Sequence, residues 1–391
     1  MIPLAIPTLG GNEARYLQEC IESTYVSSVG VFVDRFESSV AELSGSKAAV
    51  AASSGTCGLH VAQVALGIGP GDLVIVPNYT FVATANAVSH CGAKPWLVDV
   101  DPTTWSLCPN LLRQALELET TRTDAGLIHH HTGERVAAIM PVYTLGCPAD
   151  MDLIIDIARE YEIAVVADAA AALGATYKGR EIGELGADLT VFSFNGNKTV
   201  TAGGGGAVAG NDTVLLEKVK HLSTTARVGS DYDHDAVGFN FRMTNLQAAV
   251  GLAQLEQLDG FVAAKRRIRE RYDKAFGSIS GLGPFPSPAW ARSACWFSGV
   301  VVDIERYGPL AVLRERLRSA DVDSRPFWKP MHLQKPYADC MSVLNGTSAF
   351  LAERILTLPC STNLADEQQT KVIEAVSGVL PTPSARTKTE P

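Results

Sequence analysis

Between about residues 47 and 210 the chain alternates short apolar, β-rich runs with stretches of helical spacing. The runs fall at 47–52, 73–76, 95–98, 136–140, 163–167, 188–192 and 206–209. Helical stretches such as 56–67, 82–91 and 150–161 lie between most of them. Runs this apolar show no wet face, so each strand needs cover on both sides. The alternation therefore predicts an α/β fold with a mostly parallel, seven-stranded sheet flanked by helices. In such sheets ligands bind beyond the carboxyl ends of the strands, so the chemistry is expected just after those runs.

From 243 to 276 the pattern turns long and helical, with Leu246, Ala249, Val250, Ala253, Leu255 and Leu258 near 3.6-residue spacing. This predicts a helix leaving the large domain. A smaller C-terminal α/β unit comes next, with a strand over 296–302 and helices near 308–319 and 364–379. The expected division is 1–245, 246–380 and a tail, 381–391, whose Pro, Thr, Ser and charge predict disorder. With 391 residues, 46% of them hydrophobic, the chain can fill cores for both units.

Composition narrows the function classes. Net charge is −9 with no long basic run, which argues against nucleic-acid binding. No apolar stretch reaches the roughly 18 residues of a membrane helix. The start, Met1 to Pro7, lacks a charged region and a long apolar run, so a cytoplasmic protein without a signal peptide is expected. Eight cysteines are scattered without a CxxC pair, as reduced thiols are. His129, His130 and His131 fall in the polar stretch 121–135, read as a solvated loop; no Cys or carboxylate cluster completes a ligand set, so no metal is expected.

Two residues carry the expected chemistry. Asp168 closes the run 163–167, and Lys198 comes after the run 188–192 in a polar turn, just ahead of Gly203 to Gly206. A lysine there is badly placed for packing and well placed to form an imine with a carbonyl compound. An aspartate at a neighbouring strand end can hold a ring nitrogen protonated. Together they are the pair that pyridoxal phosphate (PLP) requires. Ser54, Gly55 and Thr56 stand between the first strand and the next helix, where free N–H groups and hydroxyls make an anion site. Ser193 can reach the same phosphate. Tyr79 and Phe81 come after the second strand, and an aromatic there can cover one face of a flat ring.

These residues resemble the DegT/DnrJ/EryC1/StrS aminotransferases, PLP-dependent enzymes of the type I, aspartate-aminotransferase-like fold. The likeness runs in order through Val26-Ser27-Ser28-Val29-Gly30, Ser54-Gly55-Thr56, Thr80 to Thr84, Asp168-Ala169-Ala170, Ser193 to Lys198, Gly238 to Asn245, and Ser324 to His332. It implies that Ser54, Gly55, Thr56 and Ser193 hold the cofactor phosphate, that Phe81 stacks on the ring, and that Lys198 carries the imine above Asp168. It implies a homodimer with shared sites, Asn240 and Arg242 reaching the neighbouring subunit's cofactor. Ser28, Arg325, Trp328, Lys329 and His332 would face the substrate. Where many members carry Gln or Glu, this chain has Ala171, which cannot bond the cofactor's hydroxyl side. The resemblance implies transfer of an amino group from L-glutamate to a keto carbon, C4, of a nucleotide-activated deoxy sugar. The Asn-Gly-Asn-Lys string and the Arg325–His332 segment look most like legionaminic acid and bacillosamine enzymes, hence a UDP-linked sugar. The alternatives are a GDP-linked 4-keto sugar, as in perosamine synthesis, a PLP-dependent sugar dehydratase, which retention of Lys198 disfavours, and a non-catalytic PLP-fold protein.

Overall fold

A computed structural model describes residues 1–380; the expected disordered tail, 381–391, lies outside them. All seven expected strands form, as Ala48–Ala52, Asp72–Pro77, Lys94–Val98, Arg135–Ile139, Ala164–Asp168, Leu189–Ser193 and Gly206–Gly210. Most of their residues are buried, which is why they read as continuous apolar runs. From one edge the order is Ala48–Ala52, Gly206–Gly210, Leu189–Ser193, Ala164–Asp168, Arg135–Ile139, Asp72–Pro77 and Lys94–Val98. Gly206–Gly210 runs antiparallel to both its neighbours; the other pairings are parallel. The carboxyl ends of the other six strands therefore point one way.

The sheet is wider than expected. Ser342–Val343, from far along the chain, pairs parallel with Lys94–Val98. Asp99, fully buried at the end of Lys94–Val98, anchors the turn at 345–348: its carboxylate accepts from the backbone N–H groups of Asn345, Gly346 and Ser348 at 3.0–3.2 Å.

A second, antiparallel sheet orders Leu282–Gly283, Ser298–Val302, Ile355–Leu358 and Arg325–Pro326. Its core includes Val300, Val302, Leu313, Leu317, Ile355, Leu358, Val372 and Val376. The N-terminus packs here as well: Leu4 joins this core, and its carbonyl accepts from Cys360 N–H at 2.8 Å.

Two sequence expectations need correction. The long helix over 243–276 is two helices, Asn245–Leu255 and Leu258–Phe276, with Gln257 outside helical geometry. Apolar spacing runs through the break and hides it. The polar side chains there are taken up by the N-terminal segment: Gln254 donates to the Thr8 carbonyl, and Glu256 accepts from Asn12 and the Tyr16 hydroxyl. The stretch 121–135 is a solvated loop only in part: His130 and His131 are exposed on a turn. It contains a hairpin, Thr120–Thr123 with Gly126–His129, and His129 is buried against Trp96 with Nε2 bonded to Glu119 at 3.1 Å. A histidine with both ring nitrogens bonded inside a polar segment has no periodic signature. Among the described residues no helix is long and apolar enough to cross a membrane.

Candidate active site

The carboxyl ends of four strands feed one cavity of about 550 Å³. Ala48–Ala52 delivers Ser54, Gly55 and Thr56; Asp72–Pro77 delivers Thr80 and Phe81; Ala164–Asp168 ends at Asp168; Leu189–Ser193 leads to Ser193 and Lys198. All eight of these residues line the cavity.

Ser54 caps the helix Gly55–Ala65, its hydroxyl accepting from Cys57 N–H at 3.0 Å. The cap leaves the first helical N–H groups free beside the Ser193 and Thr56 hydroxyls, a cradle for a phosphate. Glycine is required there by contact: a Cβ on Gly55 would stand 2.9 Å from Ser193 Cβ. Across the cradle, a Cβ on Gly206 would stand 2.5 Å from the Ser54 carbonyl oxygen. We expect Gly55→Ala to weaken PLP binding by at least about tenfold and to destabilise the protein by roughly 1–3 kcal/mol, measured by cofactor titration and thermal melting.

Asp168 is buried, and both its oxygens are held. Thr84 donates to Oδ2 at 2.8 Å and Ala170 N–H donates to Oδ1 at 3.1 Å. Burial pushes the carboxyl above its ordinary range, against those two bonds and the charge of Lys198. Lys198 is half-buried, and desolvation lowers its amine to about 8, with Asp168 opposing. A buried carboxyl seeking a cation and a lysine brought near neutrality form a pair poised for proton transfer rather than for packing.

Tyr79 and Phe81 part company. Tyr79 is fully buried and packs in the core, while Phe81 is 56% exposed at the cavity mouth. Arg325 and Trp328 line the same cavity; Ala171 does too, presenting only a methyl group. Ser28, Asn240, Arg242, Lys329 and His332 do not belong to this lining in the single chain. His332 is bound instead to Asn78, its backbone N–H donating to Oδ1 at 3.0 Å and its Nδ1 lying within 3.1 Å of the same oxygen.

Several lining residues carry no clear signal in the sequence. Trp296 and Phe297 lead into a strand and look only apolar there; Phe327 lies inside the Ser324–His332 segment without a polar group to mark it; Leu4 comes from the opposite end of the chain. Tyr143 lines the cavity with a buried hydroxyl that has no partner. An unpaired buried hydroxyl costs free energy unless a ligand satisfies it. A phosphate cradle closed to side chains, a buried carboxylate, a desolvated lysine and an orphaned hydroxyl fit a phosphorylated pyridine aldehyde.

The sequence profile of the DegT/DnrJ/EryC1/StrS aminotransferase family matches residues 7–377. The chain belongs to this family. It is 40% identical to the GDP-perosamine synthase of Caulobacter vibrioides over 97% of this chain and 98% of that protein. It is 34% identical to the GDP-perosamine synthase of Escherichia coli O157:H7 over 96% and 98%. Among solved structures, the PMP form of Spr1654 from Streptococcus pneumoniae superposes with a TM-score of 0.87 at 25% identity, covering 97% of this chain and 99% of that one. PMP is the amine-bearing form of PLP. This DegT/DnrJ/EryC1/StrS member is a sugar aminotransferase of the type I fold, and its cofactor is PLP.

Proposed function

We propose that the chain moves the amino group of L-glutamate to the C4 keto carbon of a GDP-linked deoxy sugar. The expectation of a UDP-linked substrate gives way to the GDP-linked alternative. Two relatives that align over nearly their whole length with this chain are GDP-perosamine synthases. The observation that carries amino transfer itself is the buried Asp168 sharing one cavity with the desolvated Lys198.

PLP supplies an aldehyde that condenses with amines and a pyridine ring that accepts the electron pair left when a C–H proton is lost. The chain's residues do the rest. Asp168, its two oxygens aimed by Thr84 and Ala170, keeps the ring nitrogen protonated; the cation it gains there relieves the cost of its burial. Lys198, with its amine lowered to about 8, is neutral in about a tenth of molecules at pH 7, far more than an ordinary lysine, and takes the proton from the substrate carbon. Ser54, Gly55, Thr56 and Ser193 bind the cofactor phosphate, and Phe81 covers one ring face. Arg325 neutralises the sugar diphosphate, with Lys329 outside it; Trp328 walls the sugar. In this reading Ser28 and His332 complete the substrate side from its rim.

We also propose a homodimer in which Asn240 and Arg242 reach the partner's cofactor phosphate. Both lie off their own cavity, and the segment before them, with a short hairpin of Arg227–Val228 and Asp233–His234, exposes Tyr232 (86%) and, just past the hairpin, Val237 (86%), apolar area that a second copy would cover. We place the reaction in the cytoplasm, where nucleotide sugars are made and used.

Purified protein would be given ¹⁵N-glutamate with GDP-, UDP- and dTDP-linked 4-keto-6-deoxy sugars in turn. The expected result is ¹⁵N in the GDP-sugar product, at a rate at least about tenfold above the others. Preference for UDP- or dTDP-sugar would overturn the nucleotide assignment. A dehydrated product without nitrogen would favour the dehydratase reading.

A further inference from the structure

Lys198 is gripped by a residue from the other half of the chain. Trp296 leads into the strand Ser298–Val302, is 4% exposed and lines the cavity. Its ring centroid lies 3.7 Å from Lys198 Nζ. Its indole N–H donates to the carbonyl of Asn197, one residue before the lysine, at 2.7 Å. One side chain thus meets both the amine and the backbone that presents it.

The tryptophan is itself held from three directions. Its backbone N–H donates to the Leu145 carbonyl at 3.0 Å, and Ala294 N–H donates to Gly146 at 2.9 Å. Leu145 and Cys295 both adopt left-handed backbone, with φ of 60° and 54°. Non-glycine residues keep such conformations only where their surroundings over-determine them. On the third side, Lys265 is buried on the helix Leu258–Phe276 and donates to the Trp296 carbonyl at 3.0 Å and to the Cys360 carbonyl at 2.7 Å. On the next turn of that helix, Arg269 donates to the Phe297 carbonyl. Two buried cations therefore fix the backbone on which the indole hangs.

We propose that Trp296 is a positioning residue for Lys198: its indole face receives the ε-ammonium whenever that amine is not covalently engaged, and its N–H fixes the lysine-bearing turn. The quadrupole of an indole attracts an ammonium, more strongly where water is excluded. Desolvation drives the Lys198 amine down and Asp168 opposes it; in this proposal the indole face acts on the same side as Asp168. Asp168 and Arg325 are the other charged side chains lining this cavity. The tryptophan limits how far the amine's affinity for a proton falls and keeps the freed amine beside the carbon it must serve.

The test follows the proton affinity of Lys198. The full-length protein is loaded with pyridoxamine phosphate, which leaves the lysine free. An amine-acylating reagent is then applied from neutral to alkaline pH, and modification of Lys198 and of the exposed Lys94 is quantified by peptide mass spectrometry. Multiply fluorinated tryptophan placed at position 296 weakens the ring quadrupole with little change of shape. It should speed acylation of Lys198 near pH 7 by roughly 2- to 10-fold and leave Lys94 unchanged. Trp296→Leu should act in the same direction, and Trp296→Phe, which keeps a ring without an N–H, should fall between. Wild-type acylation of Lys198 across the pH range in the fluorinated protein would overturn the proposal. That result remains readable even if Trp296→Leu fails to fold.

Discussion

Lys198→Met should lower amino transfer by at least about 10³-fold, since in the proposed function the same amine both holds the cofactor and moves the proton. The loss should appear as failed ¹⁵N transfer by folded protein. The variant should also change stability, with the opposite sign. In the cofactor-free protein Lys198 carries an amine lowered from 10.5 to about 8. Between those values the unfolded chain binds more protons than the folded one, so wild-type stability rises with pH through that window. Below about 8 the full cost of burying the ammonium is present. Lys198→Met removes that cost, worth roughly 3 kcal/mol at most. Cofactor-free Lys198→Met should therefore melt higher than wild type at neutral pH, and the two should converge as pH passes 10.5. A variant that melts lower throughout would show that the contacts of the lysine outweigh the cost of burying its charge.

Asp168→Asn should cut kcat/KM roughly 10²- to 10³-fold, the scale seen when a group aimed at developing charge is removed. The substitution keeps the shape and one acceptor oxygen, which can stay with Ala170 N–H, while the new NH2 must donate to the Thr84 hydroxyl and reverse that bond. What it removes is the negative charge that the proposed function assigns to the ring nitrogen. Burial raises this carboxyl above its unfolded value. The folded state then holds its proton to higher pH than the unfolded one, so stability falls as pH climbs through that interval. Asparagine has no such term. The cofactor-free variant should be at least as stable as wild type at neutral pH while it turns over poorly. Transfer rates and melting curves across pH check both halves. Near-normal turnover by Asp168→Asn would remove the aspartate from the chemistry.

Much of this was legible because the relevant signals are local. Each of the seven expected strands of the main sheet announces itself by an apolar run of the right length, and such a sheet directs ligands to its strand ends. Asp168 and Lys198 sit next to those ends in sequence, so their meeting follows from the topology alone. The break at Gln257 was not legible, because apolar spacing continues across it and the partners of Gln254 and Glu256 come from more than 200 residues away. His129 was hidden for a related reason: its burial depends on Trp96 and Glu119, which the polar composition around it conceals.

The amino-acid order determined the α/β class, the phosphate cradle at Ser54–Thr56 and the aspartate–lysine pair, since each rests on residues beside the strand ends that carry them. Only the folded molecule decided that Trp296 faces Lys198, that Leu4 and Tyr143 join the cavity, and that Ser342–Val343 extends the sheet. Those contacts join distant stretches of chain, and no local pattern of apolar and polar side chains encodes which remote surfaces will meet.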